Sequence, residues 1–216
     1  MRSKAALLLT MSLLLPASSV LAGAIRGTLT PRSGAAAAPK TGRPGITDAV
    51  IYIEVLPEAV ERKLNSRGFW IFRRLAPPRV RRVVQMNRKF DPHVLATAVG
   101  DRIAFNNLDR VYHSTFSVSP AKRFDLGKRQ PGQCDTLTLD QPGVINLHCD
   151  IHPDMMAYVV VTPNHAFTFP DDTGRYRLPA LPPGTYTVHV FHPRWGEIQH
   201  RAEITKHGDA LLDLSF

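Results

Sequence analysis

A short loop caught between two alternating apolar runs constrains this chain more than any other stretch. Ile145, Leu147 and Cys149 recur at every second position on the way in, and Ala157, Val159 and Val161 do the same on the way out. Period-two alternation marks strands with one buried face, so both ends of the loop are anchored. Between them lie Cys149, His152 and Met155, a thiol, an imidazole and a thioether at three-residue intervals. Soft sulfur combined with imidazole suits copper better than calcium or magnesium, and two His with one Cys and a long axial Met form the blue-copper arrangement. A second histidine has to come from elsewhere, and His113, within Val111-Tyr112-His113-Ser114-Thr115-Phe116-Ser117, is available. The expectation is a type 1 copper site.

Taken singly, these residues have plainer roles. One Cys is more often a small buried hydrophobe than a ligand, and Met155 or Met156 alone would be core filler. The short loop changes the balance, because its side chains have little room to diverge. Zinc also takes Cys and His. Cysteine-built zinc sites usually carry a second Cys two to four residues away, whereas the only other cysteine here is Cys134. His148 alternates away from Cys149 and is excluded as a ligand; Met156 is the alternative axial donor to Met155. Gln133–Leu139 and Val144–Cys149 are expected to form a hairpin around Gln141-Pro142-Gly143. With Leu137 and Leu139 on the core face beside Ile145 and Leu147, Cys149 joins that face and Cys134 falls on the other. A Cys134–Cys149 disulfide is disfavoured, because such side chains point apart.

A longer ordered set surrounds the loop: Phe90-Asp91-Pro92-His93-Val94-Leu95, Val99-Gly100-Asp101, Phe105-Asn106-Asn107, His113, Phe124-Asp125-Leu126-Gly127, Pro142-Gly143-Val144 and Cys149-Asp150-Ile151-His152-Pro153. This set resembles the cupredoxins, with ligand spacing similar to the amicyanin group. The whole run is similar to periplasmic proteins of the methylamine utilization protein-like family. The resemblance implies a β-sandwich that binds copper through His113, Cys149, His152 and Met155. Relatives usually carry Asn directly after the first histidine; this chain has Ser114.

Met1–Ala22 reads as a secretory signal: Arg2 and Lys4, an apolar core from Ala5 to Leu15, then Val20-Leu21-Ala22 at the cleavage site. The apolar core is too short to span a bilayer, and no later segment is apolar enough to do so. Export near Ala22 to the periplasm is expected. Few cysteines, abundant proline and short alternating runs argue for an all-β protein without a disulfide framework. Strands are expected at Ala24–Thr30 and Asp48–Val55, two helical turns at Glu58–Leu64, and further strands at Val83–Met86, Phe90–Val99, Arg102–Asn106 and Val111–Val118.

The chain carries a formal net charge of +9, and Arg62–Arg82 concentrates it, with Arg67, Arg73, Arg74, Arg79 and Arg81 among Phe69, Trp70, Ile71 and Phe72. Basic residues mixed with aromatics can signal nucleic-acid binding. Export argues against that and leaves a solvated insertion, or weak docking of residues 62–82 to acidic surfaces. Beyond Ala166 the pattern changes. Asp171-Asp172-Thr173-Gly174-Arg175-Tyr176 and Leu181-Pro182-Pro183-Gly184-Thr185-Tyr186 resemble the carboxypeptidase regulatory-like, transthyretin-like β-sandwich. About fifty residues is short for such a sandwich. The early strands would complete it, giving a discontinuous unit of 23–57 and 163–216, a basic insertion or linker at 58–82 and a cupredoxin unit at 83–162. His165, His189, His192, His200 and His207 share no ligand spacing.

No nucleophile triad, paired acids or phosphate-cradling loop stands out, so an enzyme is not expected. Nor is there a Cys-x-x-Cys-His haem motif, so a haem-bearing redox partner would be another chain, such as a cytochrome c, with a dehydrogenase as the other partner class. The functional expectation is one-electron carriage in the periplasm. Copper trafficking or buffering is the alternative, as is a partner-binding β-module with structural copper.

Overall fold

A computed structural model describes residues 22–31, 45–65 and 78–216. The expected signal segment up to Leu21, residues 32–44 of the Ala/Gly/Pro-rich loop and residues 66–77 of the basic segment lie outside the described residues. In chain order the strands are β1 (Ile25–Thr30), β2 (Val50–Ile53), β3 (Val80–Met86), β4 (Lys89–Asp91), β5 (Val94–Ala98) and β6 (Arg102–Asn107). Then come β7 (His113–Ser117), β8 (Phe124–Arg129), β9 (Cys134–Thr138), β10 (Gly143–His148) and β11 (Met156–Thr162). The chain closes with β12 (Phe167–Thr168), β13 (Arg175–Arg177), β14 (Gly184–His192), β15 (Gly196–Ile204), β16 (Ala210–Leu211) and β17 (Leu214–Ser215). Among the described residues a 3-10 turn at Ile46–Asp48 precedes β2, and an α-helix, α1 (Glu58–Asn65), lies where two helical turns were expected. The architecture is all-β, as the short alternating runs predict.

The strands form four sheets, ordered β13-β1-β16 with β17 also on β1, β12-β2-β14-β15, β5-β11-β10-β7-β8 and β4-β3-β6-β9. Alternation along single strands shows how they stack. Ile51 and Ile53 of β2, with Val188 and Val190 of β14, pack with Ile25, Leu29 and Tyr176 from the β1 sheet. Val50 and Tyr52 point the other way, onto Val94, Ala96, Tyr158 and Val160. Ala157, Val159 and Val161 of β11 face Val83, Ile103 and Phe105. Four sheets thus enclose three apolar layers, and the β10–β11 sheet is covered on both faces where β5 and β11 run. That is why Tyr158-Val159-Val160-Val161 reads as a nearly continuous apolar run.

Two expectations need correction. β9 and β10 do not form a hairpin: β9 pairs with β6, and β10 with β11 and β7. Two facing sheets produce the same apolar alternation as a hairpin, so Leu139, Leu147 and Cys149 still share one core while Cys134 is exposed. The expected Phe90–Val99 strand is divided at Pro92, which has no N–H for a ladder; β4 stays in one sheet and β5 crosses to the other.

Among the described strands, β1 and β2 pair with strands that follow residue 167. A buried polar junction joins them to the end of β11. The Asn164 side-chain N–H groups donate to the carbonyls of Ile53 and Glu54 at 3.0 and 3.1 Å, and its Oδ1 accepts the Ala166 N–H at 2.9 Å. Beside it, Asp101 accepts from Thr97 Oγ1 at 2.8 Å and pairs with His165 Nε2 at 2.9 Å. Burial alone would raise the Asp101 pKa, but the bonds from His165, Thr97 and Ala98 outweigh it and hold the group below 3.8.

Asn164→Ala leaves buried carbonyls and an N–H unpaired. At about 1–3 kcal/mol for each such group, it should lower Tm by about 5–15 °C in thermal unfolding; a Tm unchanged within error would remove the junction as a source of stability. Because the folded pKa of Asp101 is depressed, its contribution is complete above the unfolded value of 3.8 and is lost as pH falls through the folded value. Denaturant midpoints measured against pH should therefore fall on the acid side less steeply in Asp101→Asn than in the parent.

Candidate metal centre

Strand β10 delivers the thiol. Its inward residues Ile145 and Leu147 are buried, and the next inward position, just past the strand end, is Cys149, 4% exposed. The register His148↔Met156, Leu147↔Ala157 locks the two ends of the loop together. Within the loop the Met155 N–H donates to the His152 carbonyl at 2.9 Å, closing a tight turn, and Pro153 fixes its own φ while restricting His152. His113 opens β7, which neighbours β10 through His148↔Phe116, and is fully buried.

Among the described residues, His113, Cys149 and His152 are the group of three whose donor atoms converge, all within 4.8 Å of one another. Their Nδ1 atoms are 3.1 Å apart, and Cys149 Sγ lies 4.0 Å from His113 Nδ1 and 3.9 Å from His152 Nδ1. One metal ion at ordinary bond lengths, about 2.05 Å to nitrogen and about 2.3 Å to sulfur, would be within reach of all three donors at these separations. The three side chains can hold a metal ion.

Met155, 1% exposed, packs in the same apolar cluster as Cys149. Met156 is 41% exposed and lies cross-strand from His148, on the opposite face of the sheet. Its place at the surface separates it from the three converging donors. His148 contacts the Phe116 ring at 5.5 Å, away from the cluster as alternation predicts. The tail histidines are engaged elsewhere: His165 with Asp101, His189 with Glu54 and Glu197, and His192 with the Gly45 carbonyl.

Asp109 is the functional residue that sequence reasoning missed. Its Oδ2 accepts the His113 Nε2–H at 3.0 Å, which leaves His113 Nδ1 as the lone-pair face toward the cluster. The N–H groups of Arg88 and Arg110, and then His113, hold Asp109 down at about 2, so it stays a carboxylate. Its signal was the turn Asn107-Leu108-Asp109: the Asp109 N–H donates to Asn107 Oδ1 at 3.0 Å, while the Asn107 amide holds the carbonyls of Val111 and Arg129. Burial, followed by the neighbouring charges of His113 and Arg88, keeps the His152 pKa below its ordinary value. The His152 imidazole is thus biased toward the neutral form that ligates metal.

No protein-family model matches the chain, and no curated protein does. Solved structures do. A purple cupredoxin from Nitrosopumilus maritimus is 20% identical over 38% of this chain and 98% of its own, with a TM-score of 0.35. A copper-containing nitrite reductase from Thermus scotoductus SA-01 is 26% identical over 39% of this chain, which spans 22% of that enzyme, with a TM-score of 0.36. An amicyanin variant is 25% identical over 38% of this chain and 81% of its own, with a TM-score of 0.36.

Removing a carboxylate that orients a ligating imidazole typically costs 10–100-fold in metal affinity. Asp109→Ala should lose about that factor in a chelator-competition titration. An affinity unchanged in the variant would show that Asp109 does not orient His113.

Proposed function

We propose that this chain is an exported type 1 copper protein that carries single electrons in the periplasm. His113, Cys149 and His152 would hold the copper, and Met155 would be a weak fourth donor. The observation that carries this reading is the meeting of one buried thiol and two imidazoles, with a buried thioether in the same apolar cluster. A structural zinc site would close its tetrahedron with a further Cys, His or carboxylate; here the fourth soft donor at hand is a methionine, which selects copper. Copper bound there would supply a one-electron couple.

The protein's own groups define what that couple can do. Cys149 would bind the metal as a thiolate, and the core screens it from solvent. His113 is held by Asp109 from behind. Two packed sheets keep the donors in one arrangement, so little has to move when charge changes. His152 is only half-buried, and exposed Leu108, Tyr112, Ile151 and Met156 flank the loops at this end. An apolar rim around one accessible imidazole suits brief contact with a redox protein, such as a cytochrome c or a dehydrogenase.

Within this reading, residues 23–57 and 163–216 form one discontinuous, regulatory-like sandwich and 83–162 the inserted copper unit, with 58–82 as the basic connection. The exclusive pairing of β1 and β2 with late strands supports that division. One observation favours copper trafficking as a second reading: Met156, a thioether, and His148, an imidazole, sit cross-strand on the other face of the sheet, with Met156 at the surface.

Adding Cu(II) to the purified protein should produce an intense band at about 600 nm from thiolate-to-copper charge transfer, absent in Cys149→Ser. Stopped-flow mixing of the reduced copper protein with a cytochrome c should then show electron exchange faster than copper loss to a competing chelator. Absence of the visible band would overturn the copper reading; copper loss outrunning electron exchange would favour trafficking.

A further inference from the structure

The register that places the buried donors also pairs two others on the opposite face. His148 precedes Cys149 and Met156 follows Met155 in the chain, and the two stand directly across from each other where β10 meets β11. Alternation turns both away from the apolar cluster that holds Cys149 and Met155. Directly opposed strand residues have Cβ atoms about 5 Å apart, close enough for their side chains to reach one ion.

Packing does not account for this pair. Farther along the same face Tyr158 and Val160 are covered, because they meet Val50, Tyr52 and Phe191 of the β12-β2-β14-β15 sheet. That cover stops short of Met156, which is 41% exposed, and His148 is half-buried. The His148 ring lies 5.5 Å from the Phe116 ring and makes no hydrogen bond among the described residues. A ring nitrogen is therefore open to solvent or to an ion. The Met156 sulfur, on a flexible unbranched side chain, can turn to meet it.

Two such donors suit few metal ions. Calcium and magnesium need a shell of oxygens, and zinc needs a filled tetrahedron. Imidazole suits copper, and a thioether selects its monovalent ion. We propose that His148 and Met156 form a second copper site, on the protein surface, which binds Cu(I) through one imidazole nitrogen and the thioether sulfur. An ion held there stays open to solvent and to exchange with a second protein. The site uses none of the four residues of the type 1 reading and does not depend on it.

The test is an anaerobic titration of the metal-free protein with Cu(I) buffered by acetonitrile, followed by NMR of the methionine methyl and histidine ring signals. The Met156 methyl and the His148 ring should move together and saturate together. In Met156→Leu the His148 shift should need about a hundredfold more Cu(I), because the second donor of a chelate acts at high effective concentration. His148→Phe should do the same to the Met156 methyl. Zn(II) at the same concentrations should leave that methyl in place, and both variants should keep the parent's visible spectrum with Cu(II). A His148 shift that Met156→Leu leaves unchanged would overturn the chelate, and a methyl that moves equally with Zn(II) would overturn the choice of Cu(I). No shift at either residue would overturn the site, and a visible band lost in either variant would overturn its separation from the buried cluster. If the parent itself shows no thiolate-to-copper band, the type 1 reading fails, while the paired shifts still decide the surface site.

Discussion

The register of β10 against β11 is the constraint on which the site depends. Pairing runs without a slip from Gly143↔Val161 to His148↔Met156, and side chains alternate with a period of two. Moving either strand by one residue would send Cys149 to the face now held by His148. That register is secured twice over, because the inner residues of β11 fill one apolar layer and its outer residues fill another. A sheet buried on both sides cannot slip without exposing one layer or the other. The chemistry of the loop is therefore set by packing several residues away from it.

Three polar side chains converging in an apolar core would ordinarily oppose folding. Here each has a partner that also gives it a direction. His113, fully buried, gives its Nε2–H to Asp109; Cys149 receives the Ser114 N–H; and His152 stays partly in solvent. Asp109 in turn is satisfied by the N–H groups of Arg88 and Arg110. Polar satisfaction runs outward from the cluster to the surface, and each step leaves a lone pair facing inward. The donors are thereby pre-arranged, so little reorganisation is left for ion binding.

Much of this was legible in the residues because the strongest signals were local and periodic. Alternation around Cys149 identified its strand, its face and the separation from Cys134. Pairing partners were less legible. Alternation states which face is buried but not whether the neighbouring apolar strand lies beside it or across the core, so β9 and β10 were taken for a hairpin. β8 has little apolar alternation to read, and as an edge strand it needs little burial to form. Asp109 and the burial of all three of His113, Ser114 and Thr115 escaped for another reason. Both come from irregular backbone, a side-chain-held turn and an irregularity in the β7–β8 ladder, and neither has a sequence period to detect.

The layer between Val50, Val94, Ala96 and Val160 also bears on what the β12-β2-β14-β15 sheet does for β5 and β11. β11 begins beside the metal-binding loop at Met156 and ends at Thr162, next to the Asn164 junction. Seven residues of strand separate the two by about 20 Å. The added sheets thus press on the outer face of β5 and β11 and are tied in at the far end, leaving the loops around His152 uncovered. The sheet packed across the outer face of β5 and β11 supports the strands that lead into the loop holding His152, and it leaves that half-buried imidazole uncovered.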